Sequence, residues 1–417
     1  MTATGARNAP DIVDVVALGE SMVAFLPARP GRLADVPSFE RGIGGAESNV
    51  ACVLAASGHS TRWVSRVGAD GFGEHLVETI GAYGVDVAHV RRDAGRPTGL
   101  YFRTAGDRAT DEHEVAYYRA GSAASAMAVD NVDVEAVRAG RVLHLSGITA
   151  ALSEGCLELV RHLLKPSAGG PLISFDVNHR PGLWRDADGA RVLLQLARCA
   201  DIVFVGEDEA EQAWGVTGGP AAIRQLLPEP RMLVVKQGAR GATVFGRESD
   251  GGPQPCPLPA GGRAAGATGR ADADGTPSAP GRATRPRPAP APPAFEPALA
   301  VDVVATVGAG DAFAAGFLSG TLRGLPVRDR LRHGHLMAAA ALTAPGDLAP
   351  PPTRHPTTAP QGASPGAERL GGPPSRRPSW MSHADRLVAL DDDAWGRLRL
   401  GPGWTQADEA PEEANTP

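Results

Sequence analysis

The sequence predicts an α/β fold: a mainly parallel central sheet covered by helices on both faces. Three observations predict it. Short apolar runs of strand length alternate with segments of helix length along most of the chain. Those runs are nearly apolar throughout, as strands buried on both faces are. One β-prone stretch near residues 100–119 breaks the alternation and reads as a small β-structure outside the main sheet.

The elements follow in order. Residues 13–19 (Val-Asp-Val-Val-Ala-Leu-Gly) form a buried-strand pattern, closed by Glu20. Gly44-Gly45 precede a small-residue helix over 49–57, and Gly58 ends it. Residues 61–67 read as a strand and 73–83 as a helix that Gly84 terminates. Residues 100–104 and 114–119, joined by a polar loop, read as a hairpin in which Tyr101, Tyr118 and Arg119 can face a ligand. An ordinary surface hairpin with aromatics packed for stability is the plainer alternative. Apolar strands then follow at 143–146, 172–176, 202–205 and 232–236, separated by helices at 154–164, 190–199, 207–214 and 221–227. In such sheets the active crevice lies beyond the strand carboxyl ends, where most candidate residues fall.

Composition sets the domain limits. The 52 glycines and 37 prolines of the 417 residues concentrate in two stretches. Residues 249–293 are almost devoid of large apolar side chains and cannot offset the entropy of ordering, so an insert without fixed structure is expected there. A Pro-rich linker is expected over 349–380. One domain over 11–348 results, with a tail at 381–417 of no assigned role, in which 387–400 read as a short ordered element. The formal charge of −6 and the lack of a basic run interleaved with aromatics argue against nucleic acid as a partner. The four cysteines form no Cys-x-x-Cys pair, so no zinc or disulfide framework is expected. Residues 1–10 are polar and no apolar run reaches spanning length, so no membrane association and a cytoplasmic location are expected.

The stretch from Thr306 to Phe317 carries the chemistry. Gly308-Ala309-Gly310 can aim backbone N–H groups at one point, and the helix that follows adds its positive dipole end. Asp311 sits beside that anion hole, placed to take a proton from an attacking hydroxyl. These are the parts of a phosphoryl-transfer site. A glycine-rich turn with a capping Asp is the alternative. No Walker loop is present, because neither lysine follows a glycine, and Gly42-Ile-Gly44-Gly45 lacks the last glycine of a dinucleotide fingerprint.

Several blocks, in order, resemble the ribokinase-like (PfkB) family of carbohydrate kinases. They are Gly44-Gly45-Ala46-Glu47-Ser48-Asn49, Val67-Gly-Ala-Asp-Gly-Phe-Gly-Glu74, Lys236-Gln-Gly238-Ala-Arg-Gly241 and Thr306-Val-Gly-Ala-Gly-Asp311. Within the family, Leu18-Gly19-Glu20, Tyr117-Tyr118-Arg119, Phe175-Asp176-Val-Asn178-His-Arg180, Gly206-Glu-Asp-Glu209 and Gly346-Asp347 are most similar to 2-keto-3-deoxygluconate kinases. The resemblance implies a three-layer sandwich with a small β-lid and transfer of the γ-phosphoryl group of ATP to a primary hydroxyl of a sugar acid. It leaves open a neutral sugar of the fructose or ribose type, and a silent binding regulator on the same fold.

It also implies roles. Asp311 is the general base, and Gly308, Ala309 and Gly310 form the anion hole. Gly44, Gly45, Asn49, Tyr101, Tyr118, Arg119 and Arg180 bind substrate, the arginines taking the carboxylate. Asn178, Lys236, Gly238 and Gly241 line the nucleotide site, and Glu209 helps hold Mg²⁺ through water. A monovalent cation and a homodimer or higher oligomer through the lid are compatible with it. One position departs from the pattern: Ala305 stands where the family's second signature begins with Asp. If that carboxylate organises the phosphate loop or the metal, this chain is slower or more metal-dependent.

Overall fold

The computed structural model describes residues 11–29, 31–104, 114–167, 169–184, 188–246, 292–348 and 379–406. Strand β1 (Val13–Leu18) leads into β2 (Met22–Pro27) and β3 (Phe39–Gly44), and the chain returns through α1 (Ala46–Ala56) to β4 (Thr61–Gly68). Helix α2 (Gly71–Ala82) and β5 (Val90–Asp93) precede the hairpin β6 (Leu100–Arg103) and β7 (Val115–Tyr118). From α3 (Val134–Arg138) the alternation resumes with β8 (Gly140–Ser146), α4 (Gly147–Ala151), α5 (Glu154–Leu163), β9 (Leu172–Asp176), α6 (Gly189–Ala197) and β10 (Ile202–Gly206). Next come α7 (Glu207–Trp214), α8 (Gly219–Leu226), β11 (Met232–Lys236), β12 (Gly241–Gly246), β13 (Ala294–Pro297) and β14 (Ala300–Val301). Helices α9 (Ala309–Leu322), α10 (Val327–Leu342), α11 (Ser379–Val388) and α12 (Asp392–Arg397), with β15 (Arg399–Leu400), complete the order.

The main sheet has nine strands in the order β13-β12-β11-β10-β9-β8-β1-β4-β5. It is parallel except at one edge, where β12 and β13 pair antiparallel. Alternate residues of one strand enter opposite cores, as the two-residue strand period requires. Val203 and Val205 join the core under α5, α6, α7 and α8, whereas Ile202 and Phe204 face the core under α1 and α9. That is the expected three-layer arrangement.

The expected lid is a separate four-stranded sheet in the order β3-β2-β6-β7. Its hairpin half was expected. Strand β2 was not, nor was β3, whose Phe39–Gly44 run is broken by glycines. Helix α10 was also unanticipated: Arg332, His333 and His335 interrupt its apolar pattern yet are buried. Arg332 Nε donates to Glu296 Oε1 at 2.6 Å, and its guanidinium stacks 4.6 Å from the Trp395 ring, so its burial is compensated.

The ordered element expected at 387–400 exists, as part of a larger unit. Helices α11 and α12 pack on α10, and β15 pairs in parallel with β14. Helix α11 begins inside the stretch expected as linker. The rest of that linker, and the expected insert except Pro292 and Pro293, lie outside the described residues. Cys52 and Cys156 are buried free thiols. Among the described residues no helix is long and apolar enough to cross a membrane.

Candidate active site

Parallel pairing sets three strand ends side by side. Phe204 of β10 lies level with Asp176, the last residue of β9, and Gly206 lies level with Lys236, the last residue of β11. Lys236 Nζ reaches Asp176 Oδ1 and Oδ2 at 3.1 and 2.9 Å. Burial is the largest single influence on Lys236 and lowers its pKa, but the charges of Asp176, Glu209 and Asp311 and the Asp176 hydrogen bond together outweigh it, so the ammonium is held well above its usual range. Two residues beyond Asp176, Asn178 holds φ at 42°, the one non-glycine among the described residues with positive φ. Such backbone is uncommon and marks a place where surrounding structure imposes a conformation.

The opposite wall is the start of α9. Gly308 precedes the helix at φ 81°, and a Cβ there would collide with the Asp347 carbonyl oxygen, so only glycine fits. No side chain caps the helix, which leaves its first N–H groups free to meet an anion. Gly310 faces Lys236 across the cavity: a Cβ on Gly310 would stand 3.5 Å from the ammonium. Ala309 opens the helix between these glycines without lining the cavity.

Asp311, in the first turn, accepts a hydrogen bond from Asn49 Nδ2 at 2.9 Å. Its pKa is pushed up to about 7. Burial is the main cause; the Asn49 hydrogen bond opposes it, the charge of Asp176 raises the value further and that of Lys236 lowers it. A carboxylate that gains and loses a proton near neutrality, fixed by an amide, is suited to general-base work.

The remaining wall comes from the lid and the turn before α1. Tyr101 OH donates to Asp347 Oδ2 at 3.0 Å, and Arg103 Nη2 stands 3.3 Å from Asp347 Oδ1. Gly44 and Gly45 permit this approach. A Cβ on Gly44 would lie 2.6 Å from Asp347 Oδ2, and one on Gly45 would strike the Glu20 backbone. Together these walls enclose a cavity of about 410 Å³.

Most expected site residues meet here. Asp311, Gly308, Gly310, Gly44, Gly45, Asn49, Tyr101, Arg119, Arg180, Asn178, Lys236 and Glu209 all line the cavity. Tyr118 does not: it is 65% exposed on the outer face, against Phe102. Tyr117 takes its place, its ring 5.8 Å from Tyr101. Strand alternation requires this, since Arg119 and Tyr118 are adjacent and cannot share a face. Gly238 and Gly241 (φ 58° and 136°) shape the β11–β12 turn outside the cavity.

Arg119, assigned to a carboxylate, is mostly buried and ion-paired with Glu20, while its Nε has no hydrogen-bond partner. Arg180 is half-exposed: its Nη1 donates to the His179 carbonyl at 2.9 Å, and its contact with Glu209 Oε1 is loose, at 3.4 Å. Glu209 Oε2 accepts from Gly206 N at 2.8 Å, which fixes that carboxylate at the head of α7. Sequence reasoning missed Arg103, Tyr117 and Asp347 as lining residues. The two-residue period from Tyr101 could have found Arg103; Asp347 was marked only as part of the Gly346-Asp347 resemblance, with no role attached. Ala305 lies outside the lining, and its N–H donates to the Leu342 carbonyl at 3.2 Å.

With this geometry established, comparison with known proteins is informative. The profile of the pfkB family carbohydrate kinases matches residues 13–259 and 293–354. The chain is 33% identical over 346 residues to the 2-dehydro-3-deoxygluconokinase of Bacillus subtilis, covering 82% of this chain and 93% of that one. It is 32% identical over 242 residues to fructokinase-1 of Zea mays, covering 57% and 74%. Among solved structures, a PfkB protein from Polaromonas sp. JS666 superposes with a TM-score of 0.63 at 30% identity, covering 80% of this chain and 97% of that one.

Proposed function

The chain belongs to the pfkB family of carbohydrate kinases, and on that footing we propose that it transfers the γ-phosphoryl group of ATP to a primary hydroxyl of 2-keto-3-deoxygluconate. One observation carries the reading: a buried carboxylate of raised pKa, held by Asn49, stands at an uncapped helix N-terminus in the same cavity as Arg119 and Arg180. A base, an anion hole and cations for a carboxylate are what a sugar-acid kinase requires.

In this reading Asp311 Oδ accepts the proton of the sugar hydroxyl as that oxygen attacks phosphorus. The N–H groups of Gly308, Ala309 and Gly310 take the charge that develops on the transferred phosphoryl. Lys236 and Asn178 hold the nucleotide phosphates, and Gly238 and Gly241 shape the turn on that side. Arg180, more than Arg119, meets the sugar carboxylate, because its guanidinium is loosely engaged. Tyr101 and Arg103, bound to Asp347, bring the lid over the sugar and exclude water.

Among the described residues no group of three or more metal-ligating side chains gathers, so Glu209 would hold Mg²⁺ through water, with phosphate oxygens supplying the closer ligands. Bound there, the ion would neutralise charge on the phosphates. Use of ATP accords with a cytoplasmic location, and a homodimer would use the outer lid face where Tyr118 is open.

The test is a panel of sugars and sugar acids assayed for ATP-dependent phosphorylation, repeated with Arg180→Ala. Losing a charge-assisted pair of about 1.5–3 kcal/mol should raise KM for the sugar acid roughly 10–100-fold and leave neutral sugars nearly unchanged. Equal effects on both classes would sink the sugar-acid assignment. A neutral ketohexose is the second reading, favoured by the prior pairing of Arg119 with Glu20. A further expectation concerns Asn49. Because its hydrogen bond lowers the Asp311 pKa, Asn49→Ala should move the acid limb of a kcat/KM–pH profile to higher pH.

A further inference from the structure

The chain passes between the main sheet and the lid at four places: residues 19–21, 44–45, 97–99 and 119–122. All four converge on Glu20. Its side chain is 1% exposed, and its Oε1 accepts from Ser122 Oγ at 2.5 Å. Its carboxylate is also ion-paired with Arg119. A Cβ on Gly99 would lie 2.9 Å from Glu20 Oε1, and one on Gly45 would strike the Glu20 carbonyl, so both crossings pack directly on this residue. The exit crossing is tied to the entry crossing by Ala123 N donating to the Pro97 carbonyl at 2.8 Å. Thus one buried acid fixes the root of the lid and, through Arg119, part of the cavity wall.

We propose that Glu20 is a positioning residue for sugar binding: its carboxylate aims Arg119 into the cavity and holds the four crossings on which the lid is mounted. The role rests on the reading of the lid side of the cavity as the sugar side. A buried ion pair contributes little net stability against an uncharged alternative, but removing one partner leaves the other charge uncompensated. The consequence is specific. Without the Glu20 charge the arginine keeps only its contact with the Tyr117 ring, 5.9 Å from the centroid, and sugar affinity falls while the nucleotide end, built on β9, β11 and α9, is untouched.

A double-mutant cycle tests this, run with whichever acceptor the wild type phosphorylates best. Glu20→Gln keeps the shape and a partner for Ser122 but removes the charge. It should raise sugar KM roughly 10–100-fold, with the KM for ATP within about twofold of wild type. Arg119→Gln should raise sugar KM as well, and the double variant should match Arg119→Gln alone, since Glu20→Gln keeps the Ser122 hydrogen bond and the packing of the crossings and removes only the charge that pairs with Arg119. An unchanged sugar KM in Glu20→Gln, effects that multiply in the double variant, or equal rises in both KM values would each overturn the inference. Should Glu20→Gln fail to fold, Ser122→Ala makes the same comparison with a smaller expected rise. If the wild type phosphorylates no acceptor, the substrate assignment fails by itself. Deuterium uptake in β6 and β7 then decides whether Glu20 holds the crossings: faster uptake in Glu20→Gln supports it and equal uptake overturns it.

Discussion

Asp311→Asn should lower kcat about 10²–10⁴-fold while ATP and sugar still bind within a few-fold of wild type. Asparagine keeps the size of the side chain and a hydrogen bond with Asn49, so the anion hole at the head of α9 should stay in place. What is lost is the proposed acceptor for the hydroxyl proton. The pH profile gives an independent check. With the Asp311 pKa near 7, wild-type kcat/KM should fall below neutrality along a limb with its midpoint near pH 7, and the residual activity of Asp311→Asn should lack that limb.

The same shift has a stability signature. Between the ordinary carboxylate range and about pH 7 the native protein binds a proton at Asp311 that the unfolded chain has released. The contribution of this group is therefore fully present at low pH and is lost as pH rises through 7. Asp311→Asn should melt above wild type at pH 8, by about 2–5 °C, and the gap should narrow towards pH 5. Thermal melts at the two pH values measure it. A variant less stable than wild type at pH 8 would mean that the buried charge is better compensated than the geometry indicates.

How far the sequence alone led depends on whether a feature is local. Strand runs such as Ile202–Gly206 and the glycine-rich entry to α9 are local, and they appear where expected because burial and backbone conformation leave little choice. Arg119 and Lys236 were legible as charged residues at the cavity, but their partners were not. Glu20 lies 99 residues before Arg119 and Asp176 lies 60 before Lys236, and only the sheet order brings each pair together. The exchange of Tyr118 for Tyr117 was legible in principle, since a strand's two-residue period decides it. The Gly346-Asp347 pair was noticed but the place of Asp347 was not legible, because its position under Gly308 and Tyr101 depends on the packing of α10 against α9.

That last contact makes the glycines of the α9 entry unequal, and two substitutions should separate them. Gly308→Ala should lower kcat by at least about 10²-fold, the scale of losing one oxyanion donor. The left-handed backbone at Gly308 disfavours a side chain by about 1–2 kcal/mol. The new methyl would also collide with backbone atoms of Asp347, which cannot swing aside as a side-chain tip can. Relief requires the turn before α9, the Asp347 segment, or both to move. The first displaces the N–H groups proposed to meet the phosphoryl group. The second disturbs the carboxylate to which Tyr101 and Arg103 of the lid are bound. Gly310→Ala meets no such obstacle, since its methyl would stand 3.5 Å from Lys236 Nζ, an ordinary contact inside a helix. It should fold at least as well as wild type, because alanine is favoured over glycine there by about 0.8–1.0 kcal/mol. Its loss of kcat should be well below that of Gly308→Ala, confined to any crowding of the lysine and the phosphates it holds. Steady-state kinetics and thermal melts on the two variants decide the matter, and a Gly308→Ala enzyme within about fivefold of wild-type kcat would remove the anion hole from this turn.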